Sequence, residues 1–82
     1  MARVSTVAQS VRDLAGGNDR FEVDARTLGV LVDELDRRHP GLGAHLRTSM
    51  AVAIDGELHH EAWYVPLRDD AEVVFIPLIA GG

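Results

Sequence analysis

The last eleven residues, Glu72-Val73-Val74-Phe75-Ile76-Pro77-Leu78-Ile79-Ala80-Gly81-Gly82, decide how the rest of the sequence is read. From Glu72 to Ile76 the side chains are apolar on both faces of an extended strand. That pattern marks a central strand, or one whose second face is covered by a partner. Pro77 has no N–H to donate to a sheet ladder, so it is expected to release the chain from the strand. Residues 77–82 then read as a short flexible tail ending in two residues without side chains. With glycine near 7% of residues, a chance pair at this place has odds of about one in two hundred. Its position at the exit of a core strand strengthens the reading. Gly-Gly has no Cβ, so it can thread a narrow channel in another protein and present a bare carboxylate.

A strand buried on one face needs something to pack against, and one segment offers it. Leu28, Leu31, Val32 and Leu35 recur at spacings of three and four after Thr27, a helix N-cap. Asp33 to Arg37 and Glu34 to Arg38 stand four apart on the wet side, in the favourable order. His39-Pro40-Gly41 stops this helix. Upstream, residues 3–8 are rich in β-branched residues and predict a strand. Residues 9–14 predict a short turn of helix, halted by Gly16-Gly17-Asn18-Asp19. Phe21 and Val23 alternate with polar neighbours as a second strand, paired with the first in a hairpin with a long connection. Downstream, Leu42 and Leu46 suggest another short helical turn. Met50, Val52 and Ile54 predict a third strand, Asp55-Gly56 a tight turn and residues 57–60 a brief return strand. Residues 66–70 read as a loop.

The expectation is one α+β domain over residues 1–82, with a mixed sheet of about four to five strands packed on one main helix. Apolar residues make up 46% of the chain and charged residues 26%, an ordinary globular balance. Thirteen acidic residues against eight arginines, with no lysine, give a net charge of −5. An acidic domain without a basic stripe is a poor nucleic-acid binder, and a basic partner surface suits it better. No apolar run approaches a membrane span, and no signal-like apolar core stands near the start, so a cytoplasmic location is expected.

Side-chain chemistry finds little support. The chain has no cysteine, which excludes disulfides, thiolate zinc sites and a cysteine nucleophile. His59 and His60 are neighbours on a strand and point to opposite faces, so they do not share a metal ion. His39 at a helix C-terminus is favourable without any function, and no metal site is expected. Asp69-Asp70 belongs to a turn. No nucleophile elbow surrounds any serine, and the phosphate-loop lysine is missing. The chain reads as a non-enzyme with no bound cofactor. A carboxylate is a poor acyl donor until its oxygen becomes a good leaving group, so a partner that uses ATP must activate it.

At this point the chain resembles the MoaD/ThiS family of sulfur carriers, which have the β-grasp fold of ubiquitin. The likeness is carried by Val7-Ala8-Gln9 with Val11-Arg12-Asp13-Leu14-Ala15-Gly16, by the amphipathic helix, by Val52-Ala53-Ile54-Asp55-Gly56 and by residues 67–82. It implies that an E1-like adenylating enzyme adenylates Gly82 and that a sulfur donor converts it to a thiocarboxylate. Gly81 shares the threading role. Within the family the opening segment is most similar to the small subunit of molybdopterin synthase, which implies that enzyme's large subunit as a further partner. That branch commonly carries a second proline after the first, where this chain has Leu78.

In such a fold the helix covers one sheet face. Alternation assigns Val4, Phe21, Val23, Val73 and Phe75 to the core with the helix stripe. Val7, Val74 and Ile76 are expected on the opposite face with Leu58 nearby, rimmed by Arg3, Arg12 and Arg68. These residues, with the tail residues Pro77, Leu78, Ile79 and Ala80, form the expected partner-binding surface. The competing expectation is that the patch packs beneath Trp63 or Tyr64.

Overall fold

The computed structural model describes residues 1–60 and 63–78. Five strands and three helices follow in the order β1 (Ala2–Thr6), α1 (Gln9–Leu14), β2 (Arg20–Val23), α2 (Leu28–Arg38), α3 (Leu42–Ser49), β3 (Met50–Ile54), β4 (Glu57–His59) and β5 (Glu72–Pro77). The strands form one sheet in the order β2-β1-β5-β3-β4. β5 is central, parallel to β1 and antiparallel to β3; the two outer pairs are antiparallel. This is the ubiquitin-like β-grasp arrangement, and the α+β expectation holds.

Each element has a local cause. Thr27 Oγ1 accepts a hydrogen bond from the Val30 N–H at 3.3 Å, capping α2. Further orphan donors of the helix start are met by a strap: Leu28 N–H donates to the Val65 carbonyl and Gly29 N–H to that of Trp63. Leu28, Leu31, Val32 and Leu35 are fully buried, as their spacing requires. Asp55 and Gly56 have φ of 50° and 85°, the positive pair that a two-residue β3–β4 hairpin demands. Val4, Val23, Val73 and Phe75 line the core face, joined by Ala2, Val52 and Ile54. Phe21 is only half-buried and meets the His39 ring edge-on at 6.0 Å.

Several expectations are corrected. Pro77 does not release the chain: β5 includes it, pairs it with Met50, and Leu78 N–H still donates to the Ser49 carbonyl at 2.9 Å. In an antiparallel ladder alternate residues donate to the same neighbour. Leu78 donates toward β3, so the missing Pro77 donor faces the other way, where β1 has already ended at Thr6. The tail therefore starts beyond Leu78 rather than at residue 77. β1 stops two residues early because Thr6 Oγ1 turns the chain, donating to the Phe75 carbonyl and accepting from the Ala8 N–H.

α3 is a full eight-residue helix, not a single turn. Its start at Gly41 is held from a distance by Asp36, whose Oδ1 accepts from the N–H groups of Gly41 and Gly43. Asp33 pairs with Arg47 of α3 at 2.9 Å instead of Arg37. Arg37 binds Glu34 one turn away, and Arg38 approaches Glu34 at 3.9 Å. Among the described residues no helix is long and apolar enough to cross a membrane.

Candidate functional site

The strand registers lay out the face opposite the helices. Residues aligned across strands share a face. One row runs Glu22, Arg3, Glu72 over β2, β1 and β5; the next runs Arg20, Ser5, Val74, Ala53, Leu58 over all five strands. The row beyond pairs Ile76 with Ala51. The face is thus divided. Its β2–β1 side, with Glu72 at the start of β5, is charged, and the remainder of its β5–β3–β4 side is apolar.

On the apolar side the expected residues are where alternation put them. Ile76 is 37% and Leu58 57% exposed, Val74 is half-buried between its neighbours, while Phe75 between them is 1% exposed on the core side. Val7 follows Thr6, which is level with Phe75, so it stands 71% exposed at the same end of the sheet as Ile76. Pro77 and Leu78 are exposed and continue from the patch to the root of the tail. Ile79, Ala80, Gly81 and Gly82 lie outside the described residues.

The competing cover does not form. Trp63 packs on the helix side, its carbonyl bound to Gly29 and its ring 4.8 Å from the Arg47 guanidinium. Tyr64 is 91% exposed. Of the expected rim, Arg3 lies on the sheet, paired with Glu72 at 3.0 Å. Arg12 belongs to α1 and Arg68 to the loop before β5, so neither is on the sheet.

Sequence reasoning missed two contributors. Arg20 and Glu22 share the charged side with Arg3 and Glu72 around a shallow groove of about 410 Å³; only the register, not composition, brings them together. Ala51 and Ala53 lie between the apolar side chains, and as small residues gave no patch signal. A third contact, Ser10 Oγ to His45 Nε2 at 2.8 Å, ties α1 to α3. Among the described residues no group of three or more His, Asp or Glu side chains is arranged to hold a metal ion. On the wet side of α2 the Arg37 guanidinium holds the Glu34 carboxyl below its ordinary value.

The described surface thus presents an exposed aliphatic patch beside the end of β5, the strand that leads toward Gly81 and Gly82. The ThiS family model matches residues 6–82, and the chain belongs to that family of ubiquitin-like sulfur carriers. Its members are small carrier proteins rather than catalysts. Among curated proteins no sequence match was found. Of solved structures, a chain of the Amycolatopsis orientalis BexX/CysO complex is 22% identical with a TM-score of 0.84, covering 100% of both chains. Small archaeal modifier protein 1 of Methanosarcina acetivorans is 20% identical with a TM-score of 0.79, covering 99% of this chain and 95% of its own. A Pyrococcus furiosus protein provisionally named molybdopterin converting factor, subunit 1, is 22% identical with a TM-score of 0.63, covering 95% and 97%. At these identities the likeness carries the fold alone.

Proposed function

We propose that this chain carries sulfur on the carboxylate of Gly82. The observation that carries the reading is the family match running through the Gly-Gly end, next to an apolar face, at the strand that leads toward it, that no described residue covers. The chemistry falls in two steps. The Gly82 carboxylate attacks the α-phosphate of ATP on an E1-like adenylating enzyme, forming an acyl-adenylate and releasing pyrophosphate. Sulfide supplied by the donor then attacks the acyl carbon and expels AMP, leaving the thiocarboxylate and releasing a proton. The carrier supplies the carboxylate and the docking surface. ATP and the catalytic groups belong to the partner, and the chain itself is a non-catalytic, cytoplasmic protein without a bound cofactor.

Val7, Leu58, Val74, Ile76, Pro77 and Leu78 form the docking surface in this account, and Ile79, Ala80 and Gly81 line the path into the partner. From Leu78 to Gly82 four residues extend at most about 13–14 Å. The partner must therefore seat the sheet face within that distance of its nucleotide.

The acceptor favoured by the opening segment 7–16 is the molybdopterin precursor, with the large subunit of molybdopterin synthase as the second partner. Sulfur delivery toward thiamine, cysteine, a tRNA or a secondary metabolite uses the same tail. So does conjugation to lysines, a role suggested by the modifier protein that shares the fold. Intact-mass analysis of the protein from its native host separates these. Replacement of one oxygen by sulfur at Gly82 supports the carrier, and a lysine conjugate alone supports a modifier. An unmodified acid under conditions of active sulfur transfer overturns both.

A further inference from the structure

The apolar half of the open face has a relief that its residue types hide. Ala53 pairs with Val74 on one side and Leu58 on the other. The single methyl of Ala53 is thus a floor between two taller walls. Strands stand 4.7–4.9 Å apart, so the walls on β5 and β4 are about 9.5 Å apart. A side chain seated between them needs about 3.5–4.0 Å to each wall, roughly 7–8 Å in all. One side chain fits and two do not. Ile76 closes the same trough at the tail end, in the next row beside Ala51, which is 6% exposed.

The chemistry of the trough selects its occupant. Its row contains no charge from Ser5 to Leu58, and the charged residue of this face on β5, Glu72, lies one row away with its carboxylate paired to Arg3 of β1. A buried cation or anion would lose its water there without gaining a partner, which disfavours it strongly. Resting on the docking reading above, we infer that Ala53 is the specificity-determining floor of a socket that receives one large uncharged apolar side chain of the E1-like adenylating enzyme. The socket is continuous through Ile76 with the root of the tail, so filling it aligns residues 77–82 with the enzyme's channel. Anchors of this kind, buried in a pocket at the centre of an interface, carry most of the affinity.

The test is the affinity of the full-length carrier for the adenylating enzyme of the same organism, measured by titration calorimetry without ATP. Ala53→Leu fills the socket and is expected to weaken binding by about tenfold or more, with an unchanged melting temperature. Should that variant fold poorly, Leu58→Ala removes a wall from an exposed strand and is expected to weaken binding several-fold. In the native complex, the labelled Ala53 methyl is expected to show nuclear Overhauser contacts to a methyl or aromatic group of the enzyme. Weak binding by Ile76→Glu together with native binding by Ala53→Leu overturns the socket and leaves the docking face standing. Native binding by both variants overturns the docking reading itself. If Ala53→Leu instead dissolves a carrier dimer seen by sedimentation and leaves enzyme binding intact, the occupant is a second copy and the inference fails.

Discussion

Val73 and Phe75 share β5 with Val74 and Ile76, yet the two pairs do opposite work. The first pair is sealed in the core cluster that also holds the buried leucines of α2 and α3, at 0% and 1% exposure. The second pair faces away, beside Ala51, Ala53 and Leu58, with nothing packed over it among the described residues. A fold that needed only stability would place polar side chains on that second face, since one face of an antiparallel sheet is normally wet. A strand apolar on both faces therefore states two requirements at once. One is met within the chain and the other by a partner.

The strongest way to break this comparison is to exchange the consequences of the two faces. Phe75→Ala should destabilise the domain by about 3–5 kcal/mol, the usual loss for a buried aromatic. That is a large part of the stability of a domain this size, and urea unfolding followed by circular dichroism would read it. Ile76→Glu should leave the unfolding midpoint within a small margin of the native value. It should weaken binding to the adenylating enzyme by about tenfold or more, equivalent to about 1.4 kcal/mol. If Ile76→Glu unfolds the domain while Phe75→Ala is tolerated, the register of β5 is one residue out.

The comparison is sharpened by a surface site that should matter to neither face. Glu34 on α2 has its carboxyl held below its ordinary value, chiefly by hydrogen bonding from Arg37. A group whose folded value is depressed adds stability above its unfolded value and loses it as pH falls through the folded one. Glu34→Gln should therefore reduce stability slightly at neutral pH and flatten the acid limb of a melting-temperature profile. Because the pair is exposed, the effect should be the smallest of these and shrink with salt. A large loss at neutral pH would show that α2 is held by its wet side as well as by its stripe.

Much of this architecture was legible because it rests on local periodicity. The α2 stripe, the Thr27 cap, the Asp55-Gly56 turn and the alternation along β5 each need only neighbouring residues. What escaped the sequence depends on contacts between distant segments. α3 looked short because Gly41 and Gly43 are poor helix residues; Asp36, from the preceding helix, supplies the cap that compensates. Pro77 stays in its strand because β1 has already ended on its donor-less side, a fact about β1. Asp33 had two arginines within reach and took Arg47, which only the packing of α3 on α2 brings close. The site was legible in the same proportion. The apolar residues of the patch could be named from alternation, whereas the alanine floor between them emerged from pairing.

The central claim is that Gly82 is the reacting group and the sheet face only its handle. ATP–pyrophosphate exchange catalysed by the cognate E1-like adenylating enzyme tests it most directly, with the native chain and a variant lacking Gly82 compared at equal concentration. The account predicts exchange that depends on the native carrier and vanishes with the variant, while the two proteins melt at the same temperature because the core is built from residues that precede the tail. Undiminished exchange with the variant would contradict it.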